Sequence, residues 1–488
     1  KERYDEADIL DAYILILQDP EILNQLNQIP DSSTVEVYEV FTSTAKIFES
    51  MEDEYFKQRA EDIVSVGKHL VFNMQNIQSD VSLSDNTILI AQDLTPADTS
   101  SMDLGKVNGI ILKEGGLTSH AVIVAKNLGI PCVIGVKDQL DEIINGELIS
   151  IDGGTGDIIV SPSDNQISAL EQKQNNIETL IQNFTEKKYK NLGVEFRVNI
   201  GSLEEINVFN HPFLNSIGLF RSEFIYLDNS TKPSFEQQSS VLEQITEKFT
   251  GTIVYRTLDI GGDKQVSYLN LPKEENPFLG VRGIRLSLAN LDMFDSQIKS
   301  ILTSESLERI KIMFPMISTV EDFIEAKSFV TKISEKLNVK PPLMGIMVET
   351  PASAFIANKF AEIVDFISIG TNDLTQYIMA ADRGNTNLGH YQDPLHPAVL
   401  RAISNVIDCS DKNNIEVSVC GEMSSDPVAA FALYILGLKT FSMAPSAAPF
   451  VFDVLNTHSE INKQSLKEII LSQNNAEEIR TTIQEILS

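Results

Sequence analysis

A chain of 488 residues is too long for one ordinary core; at about 150 residues per domain it calls for two to four units, fewer if one is a large barrel. Its 42% hydrophobic and 22% charged residues suit a globular protein, and a formal net charge of −31 excludes general affinity for nucleic acid, which a polyanion repels. An anionic ligand therefore needs a locally positive pocket, whereas basic partners are favoured.

Residues 1–76 carry helical apolar spacing, as in AYILILQDPEILNQL and VYEVFTSTAKIFESMEDEYFKQRAEDI, which predicts a helical subdomain. Thr87–Ala91 reads as a strand, and alternating strand and helix patterns to Pro162 predict a small α/β domain over residues 77–164. The Gln-, Asn- and Lys-rich stretch 165–190 reads as a linker helix. From residue 191 to 488, eight apolar runs recur with helical stretches between them: 195–200, 216–223, 252–260, 309–316, 343–349, 366–371, 416–421 and 440–444. That pattern predicts a (β/α)8 TIM barrel, so the fold class is multidomain α/β. Charged and polar residues gather where the apolar runs end, at the rim that carries catalysis in such barrels. Cys132, Cys409 and Cys420 lie far apart in no metal spacing, which fits a reducing cytoplasm. No apolar run nears the roughly 18 residues of a membrane span, and Lys1-Glu2-Arg3-Tyr4-Asp5 does not read as a signal peptide.

The segment GGLTSHAVIVAKNLGIPCVIG (115–135) supplies two turn glycines, then Thr118 and Ser119 as candidate caps of a helix beginning near His120. A histidine in a first helical turn lies where backbone N–H groups and the positive dipole end stabilise an added phosphoryl group. Neutral imidazole is a competent nucleophile near pH 7. The plainer alternative is a capping-region histidine without chemistry.

On the barrel, Glu349 ends the run GIMVE and Asp373 follows FISIGTN, so two carboxylates from neighbouring strands can share Mg²⁺, with substrate and water completing its shell. Helix capping is the alternative use of both. Asn372 offers an amide to phosphate or carboxylate. Arg256, Arg282 and Arg383 stand beside strand ends as guanidinium forks suited to a multiply charged enol phosphate, although any one alone is more often a surface ion pair. Arg285 and Lys264 are equally readable as structural. Cys420 closes the seventh run, where a thiol can either pack as a small hydrophobe or give a proton to substrate.

Taken together the chain resembles Enzyme I of the bacterial sugar phosphotransferase system, the phosphoenolpyruvate–protein phosphotransferases. The resemblance rests on MEDEYFKQRAEDI, GGLTSH, GLFRSEF, RTLDIGGDK, NPFLGVRGIR, IMFPMIS, GIMVETP, SIGTNDLTQY, ADRGN and CGEM in order. It implies a swivelling phosphohistidine domain, phosphorylation of His120 on Nε2, and transfer onward to the phosphocarrier protein HPr. It implies phosphoenolpyruvate binding by Arg256, Arg282, Asn372, Asp373 and Arg383, Mg²⁺ on Glu349 and Asp373, proton donation by Cys420, and a homodimer formed through the barrel. Two departures accompany it. The chain begins without Met and lacks the family's usual first stretch, and Leu117 and Lys126 stand where many members have Arg. Rival readings are a pyruvate phosphate dikinase or phosphoenolpyruvate synthase type of enzyme, for which a nucleotide-binding domain is wanting, and a non-catalytic regulatory paralogue.

Overall fold

The computed structural model describes residues 14, 16–29, 33–49, 63–64, 66–68, 70–71, 74, 83–92, 94, 102–113, 122, 125, 130–136, 143–209, 211–227, 231–261, 266–269, 274–383 and 385–487. The chain divides into two compact units, Lys1–Glu171 and Gln172–Ser488.

In the first unit the helices Pro20–Leu26 and Thr34–Glu49 pack through Ile22, Val37, Phe41 and Ala45, with Phe41 fully buried. The Asp19 carboxylate caps the first helix by accepting from the N–H groups of Glu21 and Ile22, ahead of Pro20, whose missing N–H costs nothing there. A parallel sheet follows in the order β1 (Thr87–Ala91), β2 (Val107–Leu112), β3 (Cys132–Ile134). β2 is the central strand and the most buried, with Ile110, Ile111 and Leu112 fully buried. An antiparallel pair, β4 (Ile149–Ile151) and β5 (Ile158–Val160), turns on Asp152, which accepts from the Gly154 and Thr155 N–H groups. His120, Gly115, Gly116, Leu117 and Lys126 lie outside the described residues.

The second unit is a closed, wholly parallel eight-stranded barrel: β6 (Glu195–Ile200), β7 (Ile217–Arg221), β8 (Ile253–Arg256), β9 (Ile310–Phe314), β10 (Leu343–Val348), β11 (Phe366–Ile369), β12 (Glu416–Val419) and β13 (Thr440–Met443). β13 closes on β6 with Thr440 opposite Glu195. Each strand lies within one of the eight apolar runs. Leu219, Val254, Met313, Met347, Phe366 and Cys420 form a small apolar cluster of their own, separate from the large core. That division follows the period of two along each strand: one set of side chains fills the barrel, and the other packs the surrounding helices.

Beneath this plug Arg197, 3% exposed, donates to Glu195 from Nε and Nη2 and to Glu416 from Nη1, at 2.6–2.9 Å, while Lys311 donates to Glu416 at 2.8 Å. A charged group so deep persists only with such partners. The helix Asp164–Asn183 ends at Phe184, whose ring packs against Tyr189, Phe196, Phe213 and Phe452 and so fixes the helix end to the barrel. Among the described residues, no helix is long and apolar enough to cross a membrane.

Candidate active site

Parallel strands present their carboxyl ends at one rim, so residues just past β7, β8, β10, β11 and β12 converge although up to about two hundred positions separate them. A cavity of about 210 Å³ opens there, lined by Leu219, Met347, Gly370, Asn372, Cys420 and Gly421 together with eight charged side chains. Four are arginines (Arg221, Arg256, Arg282, Arg383) and four are carboxyl groups (Asp259, Glu349, Asp373, Glu422).

The charges alternate in a chain. Arg256, at the end of β8 and 6% exposed, meets Glu223 through Nη2 and Asp259 through Nη1 at 3.1 Å. Asp259 takes Nε and Nη2 of Arg282 at 3.0 and 3.1 Å, and Asp373 takes Nη1 and Nη2 of the same arginine at 2.9 and 3.0 Å. Two carboxylates thus share one planar guanidinium, an arrangement only arginine can satisfy. Arg383, more exposed, stands 3.7 Å from Asp373 and over the Phe278 ring. The backbone makes room for this closeness. A Cβ on Gly261 (φ +119°) would lie 2.7 Å from the Val281 carbonyl oxygen and 2.9 Å from Arg282 Cα, so only glycine lets the Arg282 loop approach β8.

Glu349 is wholly buried, one residue past β10. Its Oε1 accepts from the Met316 N–H at 2.5 Å, and Met316 adopts φ +57°, a left-handed conformation unusual for a side chain of that size. Glu349 Oε2 has no hydrogen-bond partner among the described residues. Burial first, and then the neighbouring Asp259 and Asp373 charges, push this carboxyl up to about 8, against the pull of Arg282 and Arg256.

Such a group is stabilised in its ionised form by a cation placed between it and its neighbours. Among the described residues no group of three or more His, Cys, Asp or Glu side chains is arranged to hold a metal ion alone. The donor set is instead Glu349 Oε2 and an Asp373 carboxylate that is also held by Arg282, which suits a hard cation completing its shell from an anionic ligand and water. Arg256 Nε is likewise buried without a partner, bonding capacity that remains available to a ligand in the cavity.

Cys420 is 2% exposed, its Sγ 3.6 Å from the Ile369 carbonyl oxygen, between the barrel plug and the cavity. Burial pushes the thiol up, with Arg256 among the groups pulling the other way, so it carries its proton at neutral pH. Asn372 Oδ1 accepts from the Glu422 N–H at 3.1 Å, leaving the amide nitrogen to donate. The structure therefore gathers Arg256, Arg282, Asn372, Asp373, Arg383, Glu349 and Cys420 in one cavity. Arg285, by contrast, donates to the Leu279 and Gly280 carbonyl oxygens and to Ser318 Oγ, and does not line the cavity. Lys264 lies outside the described residues. Sequence reasoning missed Arg221, Glu223, Asp259 and Glu422. The signal that identifies them is the strand-end rule itself, applied to carboxylates as well as arginines.

Comparison with known proteins places these elements. The chain matches the PEP-utilising enzyme families: the N-terminal domain over residues 1–59, the mobile domain over 83–156 and the PEP-binding domain over 174–459. It is 38% identical to the phosphoenolpyruvate-protein phosphotransferase of Geobacillus stearothermophilus over 503 aligned positions, covering 99% of this chain and 87% of that one. The protein of the same name in Bacillus subtilis (strain 168) is 38% identical, with 99% and 88% covered, and that of Staphylococcus aureus (strain MSSA476) 36% identical, with 98% and 86% covered. A solution structure of an Enzyme I protein is 31% identical at a TM-score of 0.31, covering 36% of this chain and 73% of that one.

Proposed function

The chain belongs to the phosphoenolpyruvate-protein phosphotransferase family, the Enzyme I proteins of the phosphotransferase system, and from that premise we propose how its own residues carry the reaction. It is a transferase that uses phosphoenolpyruvate. The observation that supports the assignment of roles is the alternating charge chain around an orphaned buried carboxylate at the barrel rim.

In this reading Arg256, through its unpartnered Nε, and Arg383 donate to the phosphate and carboxylate of the substrate, Arg282 binds it from the same cavity through the charge of a guanidinium whose N–H groups are held by Asp259, Asp373 and Tyr377, and Asn372 adds an amide N–H. Glu349 and Asp373 would hold Mg²⁺, which would supply the positive charge that lets a trianion sit among groups already neutralised in pairs. The P–O bond to the enol oxygen breaks as a bond forms from phosphorus to His120 Nε2. The electron pair left on the enolate draws the Cys420 proton onto carbon, giving pyruvate, and the thiolate regains a proton from solvent. A buried thiol pushed up by its surroundings holds that proton ready at neutral pH.

His120 then passes the phosphoryl group to a histidine of HPr. Residues 1–76 serve as the HPr-binding helical subdomain, 77–164 as the swivelling phosphohistidine domain, 165–190 as the hinge and 191–488 as the barrel that pairs two copies in the cytoplasm. The test is incubation with labelled phosphoenolpyruvate and Mg²⁺. Acid-labile, base-stable label is expected on wild type and none on His120→Ala; label retained on His120→Ala would overturn the assignment.

A further inference from the structure

Two of the rim loops are tied together from outside the cavity. The loop after β11's helix (Thr371–Met379) carries Arg383, and its base is fastened by Gln392, whose Nε2 donates to the Asp382 carbonyl oxygen at 2.9 Å and to that of Asn385 at 3.3 Å. The next residue, Asp393, also accepts from the Leu395 N–H at 3.0 Å. The loop after β12 carries Cys420 and Glu422. It descends through a short turn, Glu422–Ser424, whose Ser424 Oγ donates back to the Val419 carbonyl oxygen at 3.0 Å, to Asp426. Asp426 then caps the helix Pro427–Ile435 by accepting from the Val428 and Ala429 N–H groups. Each aspartate thus sits on a hydrogen-bonded segment that also carries a cavity side chain, Arg383 for Asp393 and Cys420 with Glu422 for Asp426.

Both carboxylates meet the same guanidinium. Arg480, on the helix Ala476–Leu487, donates from Nη2 to both oxygens of Asp393 at 3.2 Å and from Nη1 to Asp426 at 3.3 Å. That helix is anchored by Ile479 and Ile483, both fully buried, so the guanidinium rides on a fixed support. Removing its charge breaks two ties and leaves two partly exposed carboxylates facing one another without a cation, so the loops lose their shared anchor and gain a repulsion that solvent screens.

We propose that Arg480 is a positioning residue for the phosphoenolpyruvate site, holding the Arg383 loop and the Cys420 loop at their working separation from outside the cavity. The inference rests on the roles given above to Arg383 and Cys420. It concerns a residue that touches neither substrate nor metal, and it acts through Asp393 and Asp426.

The test uses the full chain with phosphoenolpyruvate and Mg²⁺. Arg480→Met keeps the aliphatic stem and removes the charge; its Kd for phosphoenolpyruvate is expected to rise about tenfold, as loss of sub-ångström placement does. Amide exchange is expected to quicken in 381–395 and 421–426 and to stay unchanged across Arg256–Gly261 on the opposite side of the same rim. Adding Asp393→Asn to Arg480→Met removes the repulsion, keeps the side-chain cap on Leu395, and is expected to restore at least about half of the lost affinity in logarithmic terms.

Unchanged affinity in Arg480→Met, or exchange quickened equally all round the rim, would overturn the proposal. Should Arg480→Met fail to fold, Asp393→Asn alone is read in its place, with about a threefold rise in Kd expected and no rise overturning the idea. Arg383→Met serves as the separate control: if that variant binds normally, the site assignment itself fails, independently of Arg480.

Discussion

Arg282 and Arg285 lie three residues apart in NPFLGVRGIR, the first before the helix Ile284–Ala289 and the second in its first turn, and conservative replacement by lysine should cost far more at Arg282 than at Arg285. Arg282 is 2% exposed and makes four hydrogen bonds of 2.9–3.1 Å to Asp259 and Asp373. An ammonium has no fork and cannot serve both carboxylates, so Arg282→Lys leaves either Asp259 with Arg256 alone or Asp373 with the more distant Arg383, beside the buried Glu349. Breaking a buried pair costs about 3–5 kcal/mol. Taking ~3 kcal/mol because lysine keeps one partner, and an unfolding entropy of about 2.1 cal/mol/K per residue over Gln172–Ser488, the barrel should melt roughly 4–5 °C lower. Arg285 meets only neutral acceptors, so Arg285→Lys should cost about 1 kcal/mol and roughly 1–2 °C. Affinity for phosphoenolpyruvate with Mg²⁺ should fall by about 100-fold in Arg282→Lys and by less than about twofold in Arg285→Lys. Scanning calorimetry and ligand titration read both quantities. Equal melting shifts in the two variants, or an Arg282→Lys protein that binds within about threefold of wild type, would refute the reasoning.

Three further outcomes follow from the same geometry. Burial alone would raise the Glu416 carboxyl, yet hydrogen bonds and charge from Arg197 and then Lys311 bring it below its ordinary value. Its folded value therefore lies under its unfolded one, and the stability it contributes is complete above about pH 4.5 and lost as pH falls through the folded value. Melting curves should show wild type losing more than Glu416→Gln between pH 5 and pH 3 (roughly); parallel curves would remove the linkage. Cys420, buried and pushed up, should resist iodoacetamide at pH 8 (about) in the native state while Cys132 and Cys409, both partly exposed, react. Cys420→Ala should still bind phosphoenolpyruvate but form pyruvate at least about tenfold more slowly, and an unchanged rate excludes the thiol as proton donor. Glu349→Gln keeps the acceptor for the Met316 N–H and removes the ligand oxygen, so it should melt no lower than wild type in EDTA yet take no phosphate in Mg²⁺. Label on that variant would show that Glu349 holds no metal.

The strands were legible because buried parallel strands are short apolar runs bounded by polar residues, as in RIKIMFPM and LMGIMVE, and the barrel order follows from sequence order once all crossovers are right-handed. What is not legible is pairing. Arg282 finds Asp373 ninety-one positions away, and Arg256 finds Glu223 thirty-three positions back. No local pattern distinguishes an arginine held by two carboxylates from one that points freely into a pocket. Arg285 illustrates the converse: by composition it equals Arg282, and only the path of the Leu279–Gly280 backbone takes it out of the site. Met316 lies in the motif IMFPMIS, yet its role was not legible there, since its part is played by a backbone N–H turned inward by a left-handed φ.

Counting arginines in the sequence suggested that they supply the positive pocket an acidic protein needs for an anion. The cavity argues otherwise. Its four guanidinium groups stand against four carboxyl groups, with Glu223 a further carboxylate on Arg256, so the arginines give shape and hydrogen-bond direction with little net charge. A trianion entering such a site gains donors but meets no field strong enough to offset its dehydration. The extra positive charge has to arrive with the ligand, and the raised, half-satisfied Glu349 is the place prepared for it. On this account metal and substrate bind with positive cooperativity: each lowers the cost of the other, and the affinity for phosphoenolpyruvate without a divalent cation should be lower by the same factor as the affinity for Mg²⁺ without phosphoenolpyruvate. A coupling factor near one, with tight substrate binding in EDTA, would mean that the guanidinium groups suffice and that the carboxylates facing them are displaced when the anion enters.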